Sequence, residues 1–384
     1  MSSTTKRPRT EAASEGDAST EDIVLQLLCT NDTHSQMLPF KAAVGTEKGT
    51  EVGGLARRAA LFETMRSTCP GSTITLDAGD CLVGTPFFEF LNGEADLVAL
   101  HELGYDAIAI GNHDFDGSDA DTSGLKYFKK LAARHAPDMH VLCDNVVDAA
   151  TGERVFAGHV VFEQPSGIRV GVAAVLGPQA WEVTATSSRA GLRFEEYERA
   201  AREASAELRR QRCDVLVCLS HTGVDRGDRQ LMRLGLFDIV FSGHAHYFDA
   251  LDALECIDGD GGRLGLLSPG FALGGGVSWV KLTLDRTTRR VKSHASGITP
   301  VSASAGELAP VVERVAGWSE MFEVKCREEV GRAAEALPLP DKQDQLDTYS
   351  AVHAALSRGE RRDSNSPITP ILSSHCTAVI LTLR

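Results

Sequence analysis

The chain has 384 residues, of which 42% are hydrophobic and 24% charged, an ordinary composition for a folded protein. Its formal net charge of -14 argues against broad binding to nucleic acid or to anionic membranes. The N-terminal sequence lacks the apolar run of a signal peptide, and no stretch reaches 18 apolar residues. We therefore expect a cytoplasmic protein. The alternative is a nuclear protein with a localisation signal at Lys6, Arg7 and Arg9.

Residues 1–21 are polar and rich in Ser, Thr and Glu, which predicts a disordered tail. Apolar strands and helical segments then alternate, which predicts an α/β fold. The predicted strands are 23–29, 73–77, 107–110, 140–143, 155–163, 168–176, 214–220, 237–242, 263–268 and 277–284. The predicted helices are 54–67, 94–103, 124–136 and 195–212. A hairpin at 155–176 indicates a second sheet, and the Gly-rich segment 270–276 is predicted to be a loop.

Polar side chains follow the ends of five predicted strands. They are Asp32 and His34; Asp77 and Asp80; Asn112, His113, Asp114 and Asp116; His221; and His244 and His246. Open α/β sheets carry their sites at this edge. Carboxylate, imidazole and amide groups suit Zn, Mn, Fe or similar divalent ions. In D-x-H and H-x-H, alternate residues of an extended segment point to the same side, so both can reach one ion or two adjacent ions.

A single element is weak alone, because a histidine after a strand is more often a surface or hydrogen-bonded residue. G-N-H-D (111–114) and G-H-A-H (243–246) are each moderately specific. The ordered series D-x-H, G-D, G-N-H-D, S-H and G-H-x-H, each after a strand, is far more specific. The role of Asp77 is left open: it is either a residue that hydrogen-bonds to a metal ligand or a structural hydrogen-bonding residue.

Six stretches carry a resemblance to a known family. They are TNDTHSQMLPF (30–40), GGLARRA (53–59), TLDAGDCLVGTPFF (75–88), LGYDAIAIGNHDFD (103–116), CLSHTG (218–223) and FSGHAHY (241–247). Over residues 23–300 the chain resembles the calcineurin-like metallophosphoesterase superfamily. More narrowly, it resembles the 5'-nucleotidase family that includes bacterial UDP-sugar hydrolases.

The resemblance implies an αββα sandwich of two sheets flanked by helices, with two divalent metal ions as cofactors. Asp32, His34 and His246 would hold one ion, Asn112, His221 and His244 the other, and Asp80 would bridge them. His113, oriented by Asp116, would stabilise the leaving group or the phosphate charge. A hydroxide formed between the ions would attack phosphorus. Asp114 stands where this family often has Glu.

The family also has a C-terminal domain that supplies most base and ribose contacts. Resemblance to it covers GRAAEALPLP (331–340) and SRGERRDSN (357–365) and stops after Asn365. We therefore expect a tail at 1–21, a catalytic domain at 22–303, a helical linker at 304–334 and a remnant of the second domain at 335–384.

The sequence thus predicts a divalent-metal-dependent phosphohydrolase that acts on nucleoside 5'-monophosphates or related nucleotides. One alternative is a general phosphomonoesterase or phosphodiesterase of broad specificity. Another is an inactive metal-binding interaction protein. The expected partner is a small-molecule phosphate ester rather than nucleic acid or a membrane, and the oligomeric state is open.

Overall fold

The computed structural model describes residues 22–42, 47–247, 255–256 and 265–326. The predicted tail, the predicted C-terminal remnant and part of the predicted linker lie outside these residues. The strands are β1 (Ile23–Thr30), β2 (Pro39–Lys41), β3 (Glu51–Gly53), β4 (Thr73–Asp77), β5 (Ala107–Ala109), β6 (His140–Leu142), β7 (Val146–Asp148), β8 (His159–Glu163), β9 (Arg169–Leu176), β10 (Leu192–Phe194), β11 (Val215–His221), β12 (Ile239–Ser242), β13 (Glu255–Cys256), β14 (Leu266–Ser268), β15 (Gly276–Leu284) and β16 (Val291–Pro300).

The helices cover the outer faces of the sheets. They are α1 (Leu55–Ser67), α2 (Pro86–Leu91), α3 (Glu94–Glu102), α4 (Gly124–His135), α5 (Pro178–Val183), α6 (Tyr197–Arg210), α7 (Arg229–Arg233) and α8 (Ala309–Cys326). Short helical turns lie at His113–Phe115, Val224–Asp228 and Ala303–Ala305. Within the described ranges, none of these helices has the length and apolarity to cross a bilayer.

Two six-stranded sheets form the centre of the fold. The first has the order β16-β15-β1-β4-β5-β6, and β1, β4, β5 and β6 run parallel. The second has the order β13-β14-β12-β11-β9-β8, and β9, β11, β12 and β14 run parallel. Parallel strands place their carboxyl ends at one edge, so the polar residues that follow them gather there.

Successive side chains of a strand face different layers of the fold. In β1, Leu25 and Leu27 belong to an apolar cluster that also contains Val172 of β9 and Val217 of β11, so it lies between the sheets. Leu28 faces the other way and joins the cluster formed with the helices α1, α3, α4 and α8. Because successive strand side chains point to opposite faces, a strand buried on both sides is apolar almost throughout.

The second sheet is covered in the same way by α6 and α7. Ala204 and Leu208 of α6 pack with Val175, Leu216 and other outward side chains of the sheet. Helix α6 begins at the side chain of Glu196, which accepts hydrogen bonds from the backbone N–H groups of residues 198 and 199. The result is the predicted αββα sandwich.

The structure departs from the sequence prediction at several short elements and at the ten-residue strand β16. The first hairpin strand begins at His159 rather than at residue 155, because residues 154 and 157 form isolated bridges to Val147 and Leu142. The linker helix α8 begins at Ala309. Strands β2, β3, β7, β10, β13 and β16 and helices α2, α5 and α7 were not predicted from the sequence.

Candidate metal centre

The polar residues after the strands meet at the common edge of the two sheets. The first sheet supplies Asp32 and His34 after β1, Asp80 after β4 and Asn112 after β5. The second sheet supplies His221 at the end of β11 and His244 and His246 after β12. Two groups of three side chains, each with its ligand atoms within 4.8 Å of one another, form here: Asp32, His34, His246 and Asp80, His221, His244.

The first group is closely packed and draws on both sheets. Nε2 of His34 lies 2.9 Å from Nε2 of His246, and Nε2 of His246 lies 3.4 Å from Oδ1 of Asp32. Two hydrogen bonds also hold the Asp32 carboxylate in place. It accepts the backbone N–H of His244 at 2.9 Å and the side-chain amide of Asn31 at 2.6 Å.

Asp80 belongs to the second group and also faces the first. Its Oδ1 accepts the backbone N–H of His113 at 2.7 Å. Its Oδ2 is 3.2 Å from Nε2 of His221 in the second group and 3.8 Å from Nε2 of His34 in the first. One carboxylate oxygen therefore faces an imidazole nitrogen of each group.

The backbone at these positions is strained. Asp32, His34, Asp80, His244 and His246 all have positive φ, between 42° and 74°. Only a few per cent of non-glycine residues adopt this region, and Asp and His are among those that tolerate it. Such strain persists when surrounding contacts fix it, and it concentrates at functional sites.

Hydrogen bonds set which nitrogen of the rings faces the site. Nδ1 of His221 lies 2.8 Å from the carbonyl oxygen of Ala78, and Nδ1 of His34 lies 3.1 Å from that of Val83. A carbonyl can only accept, so Nδ1 carries the proton and donates it. When such a ring is neutral, its Nε2 is left with a lone pair, which is the form that can bind a metal ion.

Asp114 holds the loop that carries Asp80. Its buried carboxylate accepts the backbone N–H groups of Gly111, Asp80 and Cys81 at 2.8 to 3.0 Å. Gly111 must be glycine, because a Cβ there would lie 2.2 Å from Oδ1 of Asp80. The glycine before Asn112 thus lets the turn after β5 pack directly on the Asp80 carboxylate.

The carboxylate of Asp80 favours positive charge beside it. Burial would raise the pKa of Asp80, but His221 and His113 outweigh it and hold that pKa well below its usual range. Burial likewise opposes protonation of His221, yet the Asp80 carboxylate raises its pKa to about 10. His34, in contrast, has its pKa lowered by burial to about 4. Positive charge beside Asp80 is therefore strongly favoured, and a divalent ion would supply it.

The donor set fits such ions. Oδ1 of Asn112 is buried and has no hydrogen-bond partner among the described residues, although a buried amide oxygen normally has one. Carboxylate, imidazole and amide donors together suit first-row divalent ions. The residues present are therefore compatible with metal binding.

Comparison with known proteins agrees with this chemistry. Residues 25–248, more than half of the chain, match the model of the calcineurin-like phosphoesterase family. The chain belongs to that family. Its members are phosphoesterases, and the matched segment contains every candidate ligand from Asp32 to His246.

Curated relatives of this chain include 5'-nucleotidases. It is 30% identical over 257 residues to a probable 5'-nucleotidase of Treponema pallidum, covering 65% of this chain and 40% of that protein. It is 27% identical over 238 residues to a 5'-nucleotidase of Vibrio cholerae, covering 58% and 40%. The chain thus spans about 40% of the length of these relatives.

Solved structures show the same fold. A 5'-nucleotidase precursor from Thermus thermophilus superimposes with a TM-score of 0.71 at 23% identity, covering 88% of this chain and 68% of that one. The Haemophilus influenzae NAD nucleotidase superimposes with a TM-score of 0.67 at 16% identity, covering 84% and 66%.

Two further residues lie at the open side of the candidate metal centre. His113 is 39% exposed, and its Nδ1 lies 2.8 Å from Oδ2 of Asp116. Burial opposes protonation of His113, but the hydrogen bond to Asp116 and the charge of Asp80 raise its pKa to about 9. The ring lies 5.2 Å from that of His34, centroid to centroid, which places it beside the first group.

Asp77 lies behind the candidate metal centre. Its carboxylate accepts the Thr30 hydroxyl at 2.5 Å and the Gly79 N–H at 2.9 Å, so it ties the end of β1 to the turn after β4. Sequence reasoning missed Gln179, whose Oε1 lies 3.0 Å from Nε2 of His244. No motif surrounds Gln179, and it comes 65 residues before His244, so no sequence signal connected the two.

Proposed function

We propose that this chain is a divalent-metal-dependent phosphohydrolase with a two-ion centre. The observation that carries the proposal is the position of the Asp80 carboxylate, whose Oδ2 faces His221 at 3.2 Å and His34 at 3.8 Å. Asp32, His34 and His246 would hold one ion, and Asn112, His221 and His244 the other. Asp80 would bridge them. We assign this function to the catalytic domain, residues 22–303.

Two divalent ions held there would lower the pKa of water and neutralise charge on phosphoryl oxygens. The chain's own residues would then orient one another and supply a proton. The Asp116 carboxylate fixes His113 through Nδ1, so a protonated His113 would present its Nε2 proton to the substrate. That proton can go to the leaving-group oxygen or stabilise charge on the phosphoryl group.

Nucleoside 5'-monophosphates or related nucleotides are the first substrates to test, because the curated relatives are 5'-nucleotidases. The second candidate is a general phosphomonoesterase or phosphodiesterase. It stands beside the first because the matched segment corresponds to only about 40% of each relative, so similarity alone does not carry the relatives' selectivity over to this chain. The metal centre is common to both candidates, and only the selectivity for the leaving group differs.

The test is phosphate release from AMP and from p-nitrophenyl phosphate with Mn²⁺ or Zn²⁺, and again after EDTA. We expect metal-dependent release that Asp80→Asn lowers by about 10²-fold or more, because the bridge contributes several kcal/mol of charge stabilisation. Asp138→Asn, a change of an exposed carboxylate in the same domain, is the matched control.

The two substrates separate the candidates. A strong preference for AMP supports a nucleotidase, and similar rates on both support a broad phosphoesterase. Release that is unaffected by EDTA contradicts the proposed centre. Bound metal without any release would instead support an inactive metal-binding protein.

A further inference from the structure

Gln179 contacts the second group from outside the sequence motifs. It is half-buried on α5, and its Oε1 is 3.0 Å from Nε2 of His244. The His221 and His34 rings have backbone carbonyls as the acceptors for their outer nitrogens. His244 differs, because the acceptor beside its ring is a side chain on a separate helix. This contact can therefore be changed by substitution without altering the motif itself.

The start of α5 is built against the end of β11. The N–H of Gly177 donates to the carbonyl of His221 at 3.0 Å. A Cβ at Gly177 would lie 2.7 Å from Cα of Thr222, so only glycine allows this approach. Pro178 then begins the helix, a position for which its fixed φ is suited. Gln179 is thereby placed beside the turn that carries His221.

The other end of α5 is fixed by aromatic contacts. The Trp181 ring stacks on Phe194 with centroids 5.7 Å apart and meets Phe115 edge-on at 6.1 Å. The Arg189 guanidinium lies over the same ring at 5.3 Å and donates to the Trp181 carbonyl at 2.9 Å. Gln179 therefore projects from an anchored element, which is the requirement for orienting a neighbouring side chain.

An imidazole that binds an ion through one nitrogen carries its proton on the other. We propose that Gln179 is a positioning residue, whose carboxamide oxygen accepts the Nε2 proton of His244 and keeps the Nδ1 lone pair for an ion. The inference rests on the proposed two-ion centre. Outer partners of this kind change metal affinity about 10- to 100-fold when they are removed.

The experiment titrates the metal-free protein with Mn²⁺ by isothermal titration calorimetry. Gln179→Leu removes the acceptor at similar size, and we expect one of two Mn²⁺ sites to weaken about 10- to 100-fold while the other keeps its affinity. Gln179→Glu keeps an acceptor and should bind like the wild type. Glu182→Leu, an exposed change on the same helix, is the control and should bind like the wild type.

Wild-type affinity at both sites in Gln179→Leu would overturn the inference, and so would failure of Gln179→Glu to restore binding. If Gln179→Leu does not fold, Gln179→Asn replaces it. Its side chain is one methylene too short for the contact, so it should also weaken one site. Asp80→Asn separates this result from the proposed function. Loss of Mn²⁺ in Asp80→Asn with none in the Gln179 variants refutes only the role of Gln179, whereas unchanged binding in Asp80→Asn refutes the centre.

Discussion

Asp144 is a buried carboxylate away from the candidate metal centre. It follows β6, its side chain is fully buried, and Nε of Arg154 lies 3.2 Å from its Oδ1. Burial raises the pKa of Asp144 to about 7 from an ordinary value of 3.8, although Arg154 opposes the shift. The folded protein therefore keeps this proton at pH values where the unfolded chain has lost it. Stability should consequently fall as the pH rises from about 4 to about 7.

The size of the effect follows from the pKa difference. About three pKa units at 1.36 kcal/mol each correspond to a loss of about 4 kcal/mol above pH 7. Asp144→Asn abolishes this loss, because its side chain does not ionise. It also buries an amide N–H₂ group in place of a carboxyl oxygen that has no hydrogen-bond partner among the described residues, at a cost of about 1–3 kcal/mol at every pH. The variant should be less stable than the wild type at pH 5 and more stable by about 1–3 kcal/mol at pH 8.

Urea unfolding of the metal-free proteins in EDTA at pH 5, 6, 7 and 8 measures the free energy of unfolding of both proteins. It locates the pH at which Asp144→Asn becomes the more stable of the two. Asp148→Asn is the control, because Asp148 is solvent-accessible and the backbone N–H groups of Thr151 and Ala150 lower its pKa. Its contribution is present above the unfolded pKa and is lost only in acid, so it should leave the pH 5–8 slope unchanged. Parallel curves for the wild type and Asp144→Asn would refute the reasoning.

Two further changes test packing around the site and at the last helix. Gly111→Ala would place a methyl 2.2 Å from Oδ1 of Asp80 and should lower metal-dependent phosphate release by about 10²-fold; wild-type release would contradict the assigned geometry. Phe322→Ala should cost about 3 kcal/mol in urea unfolding, because the ring packs edge-on against Phe87 at 5.0 Å. Met321→Ala, at a residue 61% exposed, should cost under about 0.5 kcal/mol, and an equal effect of both would contradict the docking of α8.

Most of the long elements could be predicted because their side chains form either an apolar run or a helical period. β1 is apolar on both faces, and α4 has its buried residues at helical spacing. Strand β16 was missed because it lies at the edge of its sheet and most of its residues are polar and partly exposed. Its pairing with β15, rather than its own pattern, makes it a strand. Helix α5 has six residues, too few to show a period.

The candidate ligands could be located from sequence because each stands next to a strand end that the apolar pattern defines. The residues that hydrogen-bond to these ligands could not be assigned that role from the sequence. Asp114 supports Asp80 across 34 residues, and Gln179 reaches His244 across 65. Such contacts depend on how loops from different strands approach one another. The spacing within a single motif contains no information about that approach.

The position of β1 in its sheet has a consequence for synthesis. β1 pairs with β4 on one side and with β15 on the other. All candidate ligands, from Asp32 to His246, precede β15, which begins at Gly276. A growing chain thus contains every ligand before the second edge of β1 has its partner. Until then β1 exposes unpaired backbone groups. The strand that leads into Asp32 and His34 is therefore secured on both sides only after every one of those ligands has been made.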